Sequence, residues 1–221
     1  MRQKNAPFFA GYAAAALVLL LACVMPALFS CEKKGPQQKT GTVIEDQGQS
    51  RFLLLKKRLQ EKPGDAGAWY DMADLYYENN LFGKAARAYG RAARLKPDGY
   101  TYLKMGMSYD ACNKPRKAVA AYRKAVRYMP SYAVAYNNLG AAYGRTGDRR
   151  GELAALKKAI KLRPHYATAI YNLGYAYLRS GDRKAAMKQY EALVKFNQGL
   201  ADDLMKKMKS GIKSAGGESG A

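Results

Sequence analysis

The residue types that carry out catalysis are thinly spread along this chain. Its only histidine, His165, stands beside Pro164. One imidazole builds neither a metal site nor a proton relay. Of the three cysteines, Cys23 and Cys31 lie in or beside an apolar N-terminal run, and Cys112 lies in the body. That is no disulfide framework. Acids are outnumbered, 17 against 38 Lys and Arg, and none are paired for acid–base work. No glycine loop has the spacing that cradles a phosphate. These absences point away from an enzyme and from any metal, cofactor or small-molecule substrate. What remains is adhesion. A formal net charge of +21 suits anionic surroundings. The 18 tyrosines offer broad contact area at low entropic cost.

Residues 1–31 read as a targeting segment rather than as part of the fold. Arg2 and Lys4 form a short basic start, no charge follows from Asn5 to Cys31, and Ala13–Leu21 is continuously apolar. Leu28-Phe29-Ser30-Cys31, followed at once by Glu32-Lys33-Lys34, resembles a bacterial lipoprotein signal. In that family a small residue precedes the lipidated cysteine and Leu stands three before it. The resemblance implies lipidation at Cys31, with Cys23 in Leu20-Leu21-Ala22-Cys23 as the alternative. A run of about 20 apolar residues also suffices for an uncleaved transmembrane helix, and ordinary signal cleavage is a third reading. The first two keep the body attached to a membrane. Residues 32–50 are rich in Gly, Gln, Lys and Ser and read as a flexible tether.

The remainder is organised by self-similarity. Trp69, Tyr102, Tyr136 and Ile170 are spaced by 33, 34 and 34 residues. The same offsets align Ala73, Gly106, Gly140 and Gly174, and then Tyr76, Tyr109, Tyr143 and Tyr177. Further columns are Ala85, Ala118, Glu152 and Ala186, and Tyr89, Tyr122, Leu156 and Tyr190. Pro97, Pro130 and Pro164 close the first three units, and Gln198 stands in the fourth. Within a unit Tyr136, Leu139, Gly140 and Tyr143 share one helical face. Gly147-Asp148 and Gly181-Asp182 break the helix and begin the next, and Asn79-Asn80 takes that place in the first unit. Two helices joined by so short a turn are antiparallel neighbours.

This pattern resembles the tetratricopeptide repeat, a helix-turn-helix unit of 34 residues. The resemblance covers residues 66–199, with repeats near 66–98, 99–132, 133–166 and 167–200. It implies an all-α, right-handed superhelical solenoid of about four full repeats, spanning 51–209. An N-terminal half-repeat helix around Phe52–Leu59 precedes it, and a C-terminal cap at 200–209 lays Leu200, Leu204 and Met208 on the last unit. Glu152 stands where a small residue should pack, which predicts a looser third unit. Residues 210–221 read as a disordered tail.

The family's first helices line a concave groove for a peptide or partner protein. By that resemblance the groove carries Tyr70, Asp74, Tyr77, Tyr100, Met107, Asn137, Asn138, Arg145, Tyr171, Asn172, Tyr175 and Arg179. Asn138 and Asn172 stand where the family hydrogen-bonds a bound peptide backbone. The second helices are strongly basic, with only two acids, Glu152 and Glu191. Arg87, Arg91, Arg94, Arg123, Lys124, Arg127, Lys157, Lys158, Lys161, Lys184 and Lys188 avoid the core columns and are expected on the convex side. That face suits an anionic membrane surface; nucleic acid is disfavoured by the N-terminal anchor. The expected function is a membrane-tethered interaction scaffold of the bacterial cell envelope, with periplasmic repeats. The alternatives are a cytoplasm-facing adaptor and a binder of an anionic envelope polymer.

Overall fold

The computed structural model describes residues 43–215. Residues 1–42, with Cys23 and Cys31, and residues 216–221 lie outside the described residues. Ten helices and no strand are found among those described. α1 spans Val43–Glu61. Four helical hairpins follow: α2 (Ala66–Glu78) with α3 (Phe82–Leu95), and α4 (Gly99–Ala111) with α5 (Pro115–Tyr128). Then come α6 (Ala133–Thr146) with α7 (Arg149–Leu162), and α8 (Ala167–Arg179) with α9 (Arg183–Val194). α10, Gln198–Ala215, closes the array.

Local sequence sets these boundaries. The turn inside each hairpin needs one residue in the left-handed region, and the repeat places it in register. Asn80 (φ 59°), Asn113 (φ 54°), Gly147 (φ 80°) and Gly181 (φ 77°) occupy the same column. Asn and Gly are the residues that adopt this conformation at least cost. Aspartates then cap the helices. Asp65 and Asp98 accept backbone N–H bonds at the starts of α2 and α4, and Asp148 and Asp182 do so at the starts of α7 and α9.

The core is small-residue packing between these hairpins. Ala85, Ala118 and Ala186 are fully buried, as are Tyr89, Tyr122 and Leu156. First helices of successive units touch one another, α4 with α6 and α6 with α8, and α8 with α10. Successive second helices make no comparable contact among the described residues. The first helices are therefore crowded on the inside of the curve and the second helices spread on the outside. α10 takes the place of a fifth first helix, burying Leu204 and Met208.

Three sequence expectations need correction. α1 begins at Val43, inside the segment read as a tether. Phe52, Leu55 and Leu59 fix it against α2, and a helix anchored in this way propagates backward one hydrogen bond per residue. By the same logic α10 continues to Ala215, into the segment read as a disordered tail. The third hairpin itself is not splayed, since α6 and α7 pack as extensively as the earlier hairpins; the expected looseness falls instead at the next junction, where α7 packs less on α8 than α3 does on α4 or α5 on α6.

Candidate functional site

The inner face is built junction by junction. Between the first two units Asp74 of α2 accepts from the Tyr89 hydroxyl and pairs with Lys104 of α4 at 3.3 Å. Lys104 also lies over the Tyr77 ring, 5.9 Å from its centroid. At the next junction Asp110 of α4 accepts from the Tyr122 hydroxyl at 2.9 Å and pairs with Arg145 of α6. At the third, Arg179 of α8 pairs with Glu152 of α7 and donates to the Gly144 carbonyl at 3.3 Å. Each junction thus has one carboxylate–cation pair spanning two units.

Electrostatics follow from this arrangement. Burial, reinforced by the bond to Asp74, pushes the Tyr89 hydroxyl far above its ordinary value. Burial and the Asp110 charge do the same for Tyr122. Both phenols stay protonated and serve as donors. Burial pushes the Glu152 carboxyl up, while Arg179 pulls it down.

Amides and aromatics complete the wall. Asn172 donates to Asn137 Oδ1 at 2.9 Å, and Asn137 donates to Asn138 Oδ1 at 3.3 Å. Asn137 is buried, so its amide positions its two neighbours; Asn138 and Asn172 keep part of their surface toward the groove. Tyr70 packs edge-on against Tyr89, and Tyr100 edge-on against Tyr132. Tyr171 donates to Asp203 of α10. Tyr175 lies between Arg179 and Lys207, with cation-to-centroid distances of 5.4 and 5.3 Å. Tyr100 and Tyr175 are the most exposed aromatic side chains of this face, and Met107 is half-buried.

The twelve groove residues read from the sequence all lie on first helices, and the structure draws most of them into separate clusters, one or more at each junction between units. Their partners Lys104, Asp110, Glu152, Asp203 and Lys207 escaped sequence reasoning. For Lys104, Asp110 and Glu152 the only signal was opposite charge about one unit apart, which is weak in so basic a chain; Asp203 and Lys207 meet the tyrosines Tyr171 and Tyr175 and carried no such signal. Glu152 was visible as a departure from a small-residue column. Its role was not, because that depends on Gly144, at which a side chain would collide with the Glu152 carboxylate at 2.5 Å.

The eleven basic residues assigned to the outer face are all exposed. No carboxylate among the described residues pairs with any of them. Three sit over aromatics in register: Arg91 over Trp69, Lys124 over Tyr102 and Lys158 over Tyr136, at 5.3, 5.1 and 6.0 Å. The fourth unit has Ile170 and Ala192 at these positions, losing the ring and the cation together. His165 is exposed, edge-on to Phe196 at 5.2 Å. Among the described residues no helix is long and apolar enough to cross a membrane.

Comparison with known proteins agrees with this architecture. Tetratricopeptide-repeat profiles match residues 54–101, 133–166 and 168–199, and a TPR-repeat profile matches 106–147 and 153–181. No curated protein sequence matches the chain. Among solved structures, YrrB, described as a TPR protein with an unusual peptide-binding site, superposes with a TM-score of 0.68 at 19% identity. The match covers 74% of this chain and 86% of YrrB. A MamA structure gives 0.62 at 21% identity, covering 77% of this chain and 99% of that one. MamA 41-end from Desulfovibrio magneticus RS-1 gives 0.64 at 19%, covering 70% and 88%. These likenesses speak to the fold. With repeat profiles reaching from residue 54 to residue 199, well over half of the sequence, the chain belongs to the tetratricopeptide-repeat family.

Proposed function

We propose that this protein is a membrane-tethered interaction scaffold of the bacterial cell envelope, whose inner groove holds a segment of a partner protein. The observation that carries the reading is the state of the groove's charges. Lys104, Arg145 and Arg179 are each committed to a carboxylate of the neighbouring unit. None of these three is left to clamp a free carboxylate, and Lys207 at the far end of the groove lies over the Tyr175 ring. The surfaces that remain are aromatic rings and the amides of Asn138 and Asn172. Such a lining suits an apolar or neutral peptide whose backbone is hydrogen-bonded by the amides and whose side chains lie against tyrosines. YrrB, with its peptide-binding site, supports the reading at the level of fold alone.

The tether rests on the sequence of residues 1–31. Cys31→Ala, set against Cys23→Ala, tests it: incorporation of a radiolabelled fatty acid that is lost only with the first supports lipidation at Cys31, since the uncleaved apolar segment would by itself hold either variant in the membrane. A membrane-bound chain that takes up no label supports an uncleaved anchor, and release of the unaltered chain from washed membranes rejects any tether. Protease accessibility in spheroplasts separates periplasmic from cytoplasmic repeats. For the groove, the test is crosslinked co-purification from native membranes, comparing the unaltered chain with Asn138→Ala/Asn172→Ala. Loss of a defined partner supports the groove, and an unchanged set of partners moves the binding surface elsewhere.

A further inference from the structure

A basic–apolar dyad recurs where each second helix finishes: Arg94-Leu95, Arg127-Tyr128 and Lys161-Leu162 end α3, α5 and α7, and Lys195-Phe196 stands in the turn just after α9, at spacings of 33, 34 and 34 residues. The cations are exposed in every copy. Their neighbours are large apolar residues, and three of them face solvent: Leu95 is 47% exposed, Tyr128 53% and Phe196 41%. A basic residue in a last turn has a local explanation, because it complements the helix dipole. An apolar residue left this exposed beside it in three of the four units is not accounted for by burial, although Tyr128 leans on the Tyr102 ring and Phe196 on His165. These helix ends lie along one edge of the solenoid, where the turns lead into the following helices. Arg91, Lys124 and Lys158 lie one turn back. Glu191 is the one acid on these four helices besides the buried Glu152.

We infer that this edge docks on an anionic bilayer, with Leu95, Tyr128 and Phe196 entering the interfacial layer and the cations resting on phosphate head groups. Two observations select a bilayer. Alternating cations and apolar side chains match a surface that is charged outside and oily just beneath, whereas nucleic acid has no such layer. The second is reach. Eleven residues separate Cys31 from the first residue of α1, at most about 40 Å of extended chain. With the N-terminal segment held in a membrane, the domain cannot leave its vicinity. Reach depends on the tether reading; the composition of the edge does not.

Trp69, the only tryptophan, reports on the contact. Its indole donates to the Pro63 carbonyl at 2.9 Å, in the turn at the same edge. The full chain is mixed with phosphatidylcholine vesicles, with and without phosphatidylglycerol, each carrying a dansyl head-group acceptor. Flotation on the neutral vesicles reads the tether. Added energy transfer from Trp69 on the anionic vesicles, reversed by salt, reads the docking. Arg94→Gln/Arg127→Gln/Lys161→Gln/Lys195→Gln is expected to lower the anionic preference by about tenfold or more, with the melting curve retained. Leu95→Ser/Phe196→Ser is expected to keep the preference and weaken the contact. Equal transfer on both vesicles, or no response to the fourfold variant, overturns the proposal, as does tighter capture of an RNA homopolymer at the same salt. Failure to float on neutral vesicles, with anionic transfer intact, rejects the tether and leaves the docking standing.

Discussion

Arg179, on the first helix of the fourth unit, reaches back to Glu152 on the second helix of the third, and the pair fills space that Gly144 leaves open. The register of the repeat explains why. Gly144 is the counterpart of Asp110, Leu156 of Tyr122 and Arg179 of Arg145. In the second unit the carboxylate comes from Asp110 and is held by Tyr122 and Arg145. In the third it comes from Glu152 instead, the side chain at position 144 is absent, and the tyrosine hydroxyl is no longer needed. The ion pair survives a change of donor helix, which marks it as the element joining units.

Removing one partner should cost more than neutralising the other. Arg179→Ala strands a buried carboxylate, for an expected loss of about 1–3 kcal/mol in urea unfolding. Glu152→Gln keeps shape and hydrogen bonding and should stay within about 1 kcal/mol of the unaltered protein at neutral pH. Equal losses from the two would contradict this picture of the junction.

The same pair sets a pH dependence. Burial raises the Glu152 carboxyl above its ordinary value, so the folded state holds that proton more tightly than the unfolded chain. Its contribution to stability is fully present below the ordinary glutamate value and declines as pH rises through the raised one. The stability of the unaltered protein relative to Glu152→Gln should therefore fall as pH rises from the ordinary glutamate value through the raised one. A rise over that window would refute the predicted direction.

Gly144→Ala brings a methyl group against the Glu152 carboxylate and, at 2.9 Å, the Arg179 guanidinium. Overpacking of this kind costs about 1–3 kcal/mol. In a Glu152→Ala background only the contact with the Arg179 guanidinium remains, the end of a flexible side chain no longer held by a carboxylate, and the better helix propensity of alanine, about 1 kcal/mol, should show instead. A substitution that changes sign with its background is the signature to seek in a double-mutant cycle.

The cap should act locally. Leu204 and Met208 are fully buried, and Leu204 presses on the backbone at Gly174. Leu204→Ala is expected to cost about 2–5 kcal/mol. In a linear array the damage should spread from that end. Amide exchange is predicted to rise in α8 and α9 well before α2 and α3, and uniform acceleration would show a single cooperative unit instead.

Much of this molecule was legible in its sequence because a repeat states each rule several times. The column holding Asn80, Asn113, Gly147 and Gly181 gives the turns, and the alanine and tyrosine columns give the packing. Helix lengths at the two ends were not legible, since the segments around Val43 and Ala215 lack strong signals of their own and extend by propagation. The groove residues were found by position, but their pairing was hidden. Asp74 with Lys104 and Asp110 with Arg145 lie about a unit apart without sharing an offset, so no column reveals them.

The groove is the surface proposed to meet a partner, and all else about function depends on it. Photo-crosslinking residues placed at Tyr100 and Tyr175, both exposed on the inner face, and at Arg123, exposed on the outer face, test this in intact cells. The predicted result is one discrete crosslinked protein from both tyrosine positions, absent from Arg123 and lost with Asn138→Ala/Asn172→Ala. Crosslinks to that protein from Arg123 alone, or groove crosslinks indifferent to the asparagines, would contradict it.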